Sequence, residues 1–129
     1  LRSDIEFFNT STEWRSTKMI EQGRGLHKDI APQKGGEGVV RRILAYSEDL
    51  MCVENTFETG AVGALHHHPH TQITYVVSGE FEFEIDGEKK IVKAGDSMLK
   101  TNEVVHGCTC LKAGILLDIF TPMPKDFVS

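Results

Sequence analysis

The stretch Gln72-Ile73-Thr74-Tyr75-Val76-Val77-Ser78-Gly79-Glu80-Phe81-Glu82-Phe83-Glu84-Ile85-Asp86-Gly87 decides the fold class. In its second half Phe81, Phe83 and Ile85 alternate with Glu80, Glu82 and Glu84. A period of two is that of a strand with one buried face, and the acid row is then its solvated face. Asp86-Gly87 is a two-residue hairpin signal, because a type I′ turn needs positive φ at both positions. Residues 89–93 are the return strand. The first half, residues 72–77, is β-branched and aromatic and reads as a strand ended by Ser78-Gly79.

The same texture continues on both sides. Downstream, Ala94-Gly95-Asp96 is a turn, followed by strands at 97–100, around 106–110 and, after Gly114, at 115–120. Upstream, residues 39–46 and 50–57 read as strands. Many short strands, Gly-rich turns and no long helix make an all-β sandwich or barrel. Residues 1–38 differ. They hold a short strand at 5–8 and a weak helical stretch at 13–22, and Gly23, Gly25, Gly35, Gly36 and Gly38 break regular structure. The expected organisation is an irregular N-terminal arm, 1–38, that clasps a dimer or wraps the domain, and a body, 39–129.

Composition narrows the function classes. The chain has 129 residues, one domain's worth, and its charges sum to −5 with no basic run. A nucleic-acid surface would show a basic stripe. No apolar run approaches the roughly 18 residues of a membrane span. The first residues, LRSDIEFFNT, lack the apolar core of a secretory leader. Three cysteines cannot all pair internally, which fits a reducing compartment. A cytoplasmic location is expected, with neither membrane nor nucleic acid as partner. Cys108 and Cys110 read as buried free thiols, and Trp14 as cover for an apolar patch.

Histidine is the skewed residue: four of six fall within residues 66–70. His66 and His68 are two apart, so on extended backbone they face one side. Gln72 shares their parity, and His106 follows the loop Thr101-Asn102-Glu103. Three neutral imidazoles and one oxygen donor are a plausible ligand set for one divalent first-row metal ion. His67 points the other way and reads as surface. His70 shares the ligand parity, but Pro69 disrupts regular pairing, so ligand and substrate contact both stay open.

Gly60, five residues, His66, one residue, His68, three residues, Gln72, six residues, Gly79: this spacing resembles the first cupin motif, with Gln72 where that motif carries Glu. GDSMLKTNEVVHGCTC, from Gly95 to Cys110, resembles the second motif, with His106 at its metal-ligand position. Thr101, Glu103 and Cys110 depart from the usual Pro, Gly and Asn. The resemblance implies a single double-stranded β-helix, or jelly-roll barrel, commonly a homodimer, with the metal in its mouth. A neutral Gln in place of a carboxylate leaves a divalent site at +2, which suits an anionic substrate.

A longer resemblance is to small bacterial cupins of pectin and alginate degradation, which convert 4,5-unsaturated uronate monosaccharides into linear keto forms. It rests on residues 40–46 (VRRILAY), 63–66 (GALH), 68–73 (HPHTQI), 116–122 (LLDIFTP) and Asp126-Phe127. It implies that Asp118 is the acid/base and that Phe120 lines the pocket. The family's substrate-holding Arg is matched by Pro124, with Lys125 beside it as a point-charge substitute. Tyr75, Phe83, Met98 and His70 are further candidate substrate contacts. The implied chemistry is non-redox, so Zn, Ni, Mn or Fe would serve. The alternatives are a non-catalytic sugar- or small-molecule-binding cupin and a metal-dependent dioxygenase.

Overall fold

The computed structural model describes residues 23–67, 69–101 and 103–122. The readings on residues 5–8 and 13–22, on Trp14, on His68 and on Pro124 and Lys125 lie outside the described residues. Among the described residues eight strands follow one another: β1 (Gln33–Gly36), β2 (Val39–Tyr46), β3 (Met51–Phe57), β4 (Val62–His66), β5 (Thr71–Ile85), β6 (Glu88–Lys93), β7 (Ser97–Lys100) and β8 (His106–Thr121). The described helical structure is one 3₁₀ turn, His27–Asp29, and no described helix is long and apolar enough to cross a membrane.

The decisive stretch folds as one strand rather than two. Ser78-Gly79 does not end β5. The register against β8 shifts between Val76, Ser78, Glu80 and Phe81. A bulge of this kind moves the inward face by one residue. Gln72, Thr74 and Val76 are therefore buried before it, and Phe81 and Phe83 after it. Gly79 sits at φ +85°, and a Cβ there would lie 2.5 Å from the Lys112 carbonyl oxygen. Across from it a Cβ on Gly114 would collide with the Ser78 carbonyl, so only glycine lets the strands approach here. Likewise residues 106–110 and 115–120 belong to one strand, β8, which runs through Gly114.

These long, bent strands each serve two sheets. The first half of β5 pairs with β7 and with the C-terminal half of β8, which continues to β3, β2 and β1. The second half of β5 pairs with β6 and with the N-terminal half of β8, which pairs with β4. Two sheets sharing β5 and β8 close over a core of Val39, Phe57, Val76, Phe81, Phe83 and Leu116, among others. Phe57 and Phe81 meet edge to face at 5.3 Å. The Asp86-Gly87 turn has φ of +51° and +84°, as the hairpin reading requires. Glu84 stands opposite Lys89 and Glu80 opposite Lys93 on the half-exposed face. Two strands were not expected. β4 carries His66, and β1 lies in the Gly-rich segment, where Gln33 and Lys34 pair with Arg41 and Val40. The sheet thus begins before residue 39.

Candidate metal centre and its pocket

Strand parity and register assemble the site. On β5 the inward residues before the bulge are Gln72 and Thr74. On β8 they are Leu116, Asp118 and Phe120. Register sets Gln72 opposite Phe120 and Thr74 opposite Asp118. On β4 His66 pairs with His106 of β8, and their rings lie 4.4 Å apart between centroids. Gln72, Leu116, Asp118, Phe120, His66 and His106 line a cavity of about 400 Å³, which falls within the ~300–1,000 Å³ of small-molecule sites.

The donor set fits a metal ion. His66 donates from Nδ1 to the Ala64 carbonyl at 2.7 Å, and His106 from Nδ1 to the Val104 carbonyl at 3.0 Å. A proton on Nδ1 places the lone pair of each neutral imidazole on Nε2. Gln72 spends its amide Nε2 on Asp118 Oδ1 at 2.9 Å and Thr74 Oγ1 at 3.2 Å. Its Oε1 is buried and has no hydrogen-bond partner among the described residues. An orphaned amide oxygen costs about 1–3 kcal/mol unless something accepts its lone pair, and a cation would. Among the described residues no three His, Cys, Asp or Glu side chains cluster closely enough to bind a metal by themselves; a donor set here would need Gln72, and His68 lies outside the described residues.

Asp118 is buried at 7% exposure and is fully engaged. Asn55 Nδ2 donates to its Oδ2 at 2.8 Å. Gln72 and the Thr74 hydroxyl donate to Oδ1. The Lys100 ammonium in turn donates to Thr74 Oγ1 and stands 4.7 Å from the Phe83 ring centroid. Lys100 is 2% exposed. Burial brings its pKa down to about 8, against a partial pull upward from Asp118. Cys108 also lines the cavity, and burial pushes its thiol up to about 11. Cys110 is a buried free thiol, as read.

The other candidates divide. His70 and Phe120 line the cavity together, with ring centroids 6.2 Å apart, and Phe83 lines it from the far side. His67 points away and pairs with Glu103 at 2.7 Å. Tyr75 does not reach the pocket: between inward Thr74 and Val76 it falls on the outer face, 43% exposed. Met98 packs against the core cluster and is not part of the cavity wall. Three cavity residues, Arg41, Asn55 and Lys100, were missed in the sequence, as was Thr74, which bonds Asp118. Their signal was a polar or charged residue on an inward position of an alternating strand.

A cupin-domain family model matches residues 53–120, and the chain belongs to the cupins. The pectin degradation protein KdgF of Dickeya dadantii (strain 3937) is 43% identical over 95 residues, which cover 72% of this chain and 86% of that protein. Among solved structures, an RmlC-like cupin from Shewanella frigidimarina NCIMB 400 is 38% identical with a TM-score of 0.81, over 84% of this chain and 97% of that one. KdgF from Halomonas sp. is 35% identical with a TM-score of 0.79, over 82% of this chain and 98% of that one.

Proposed function

We propose that this cupin is a metal-dependent enzyme that opens the ring of 4,5-unsaturated uronate monosaccharides from pectin or alginate breakdown. The observation that carries the reading is Asp118, a buried carboxylate fixed by Asn55, Gln72 and Thr74 on the wall of a cavity shared with His66 and His106. The likeness to pectin degradation proteins supports the substrate class. His66, His68, Gln72 and His106 would hold one divalent ion (Zn, Ni, Mn or Fe), which would supply Lewis acidity toward the sugar's oxygens.

Asp118 then performs a proton transfer and a return. It takes the proton of the anomeric hydroxyl as the C1–O5 bond breaks and C1 becomes an aldehyde. The electrons left on O5 form the C5 ketone, and the C4–C5 double bond's pair takes a proton at C4, delivered by the Asp118 acid. Substrate and product are isomers, so no oxidant or second substrate is needed. Phe120 and His70 flank the site of transfer on the cavity wall.

The test is to generate 4,5-unsaturated galacturonate with a lyase and follow loss of its ultraviolet absorbance. Faster loss that chelator abolishes and metal restores is expected. Asp118→Asn should keep the metal and lose turnover; retained turnover in that variant removes Asp118 from this role. The free thiols Cys52, Cys108 and Cys110 support a cytoplasmic location. A homodimer is the proposed assembly: Ile73, Tyr75, Val77 and Leu99 leave an apolar outer face that a second copy would cover, which light scattering tests.

A further inference from the structure

We propose that Lys100 is the group that holds the substrate carboxylate, from inside the barrel. This inference rests on the uronate reading. Its side chain ends within the sheet pair, hydrogen-bonded to Thr74 and facing the Phe83 ring, on the wall of the cavity that holds Asp118. No carboxylate lies within ion-pair distance of its ammonium among the described residues. An ammonium has three donors. A threonine hydroxyl takes one and the ring face is a weak second partner, so the buried charge lacks a direct anion. Burying a charge without one is costly, and a ligand carboxylate removes that cost on binding.

Position argues for the same role. Lys100 is opposite Gln72 in the β5–β7 register, so an anion on it is beside the donor set. The Thr74 hydroxyl separates it from Asp118, whose oxygens are taken up by Asn55, Gln72 and Thr74. A sugar carboxylate therefore meets the cation rather than the Asp118 charge. The formal charges on the cavity wall are Arg41 and Lys100 against Asp118, which favours an anion. Arg41 is on β2 beside Gly35, half-buried, with Nε donated to Gln33 at 3.3 Å. That bond ties it to β1, whereas Lys100 shares Thr74 with Asp118.

The experiment compares D-galacturonate with its neutral methyl ester by calorimetry on metal-loaded protein, for wild type, Lys100→Met, Lys100→Gln, Arg41→Met and Lys125→Met. Wild type should prefer the acid by at least about tenfold, and both Lys100 variants should reduce the preference to about threefold or less. In turnover of unsaturated galacturonate the Lys100 variants should raise KM at least about tenfold with a much smaller change in kcat. Wild type binding acid and ester equally overturns the proposal without any variant, which covers the case of a variant that does not fold. Undiminished preference in folded Lys100 variants overturns it, as does a collapse seen with Arg41→Met or Lys125→Met instead. Failure of wild type to turn over the unsaturated sugar overturns the uronate reading, while the acid-to-ester ratio still reports on Lys100.

Discussion

Lys100→Met should change the pH dependence of folding in a direction set by burial. The lysine is 2% exposed, and its pKa falls from 10.5 in solvent to about 8 in the fold. Between those values the unfolded chain holds more of this proton than the folded one. Wild-type stability from this group is therefore fully present above about 10.5, and it is lost as pH falls through 8. At about 1.4 kcal/mol per pH unit, the interval amounts to about 3 kcal/mol. Methionine has no charge to desolvate and fills a similar volume, so the variant should match or exceed wild type near pH 7. The assay is urea unfolding of chelator-treated protein, followed by far-ultraviolet circular dichroism at pH 7, 8, 9 and 10.5. Wild type should gain about 2–3 kcal/mol on the variant across that range. The Cys108 thiol, raised from 9.0 to about 11, lowers stability as pH rises through the upper part of this window, but it is present in both proteins, so the comparison is of their difference. A stability difference that stays flat with pH, or moves the other way, would falsify the claim that Lys100 is a buried ammonium.

Other substitutions probe the rest of the site. Gln72→Glu should tighten metal binding, measured by competition with a chromophoric chelator, yet lower turnover by about 10²-fold, because a carboxylate replaces the amide that donates to Asp118 at 2.9 Å. Asn55→Leu removes the 2.8 Å bond to Asp118 Oδ2 and should lower kcat roughly 10–100-fold with KM little changed. Gly114→Ala forces a Cβ onto the Ser78 carbonyl and should cost about 2–4 kcal/mol in thermal unfolding. His67→Ala breaks only an exposed pair with Glu103 and should keep metal and stay within about 0.5 kcal/mol of wild type, whereas His66→Ala should lose metal.

The period-two pattern Glu80 to Ile85 made the strand, its buried face and the Asp86-Gly87 turn legible, because each depends on neighbouring residues alone. Gln72 and His106 were legible as ligand candidates from residue type and spacing, and Asp118 and Phe120 from the family's last-strand pattern. Tyr75 falls outside the pocket because its parity is opposite to that of the inward Gln72, Thr74 and Val76. The two halves of β5 read as separate strands because Ser78-Gly79 has the composition of a turn. Composition cannot distinguish a turn from a bulge. The choice is made by whether another chain segment lies alongside, here Lys112 to Gly114.

By itself the sequence determined an all-β chain, a histidine-rich motif with metal-ligand spacing and its place among the cupins. Local alternation, turn chemistry and residue type carry the first two, and the resemblance of the 60–79 and 95–110 motifs to the family carries the third. Only the tertiary structure decided that Asn55, Thr74 and Lys100 gather around Asp118, and that Gln72 gives its amide to Asp118 and leaves its oxygen buried without a partner among the described residues. Those contacts join residues up to 63 positions apart. They exist because β3, β5 and β7 reach the C-terminal half of β8 directly or through β5, in one register. A shift of one residue in any of these strands would turn the side chain outward. Burial then does the rest: a lysine that would be an ordinary solvated cation on a surface strand becomes, inside the barrel, the charge an anionic ligand would answer.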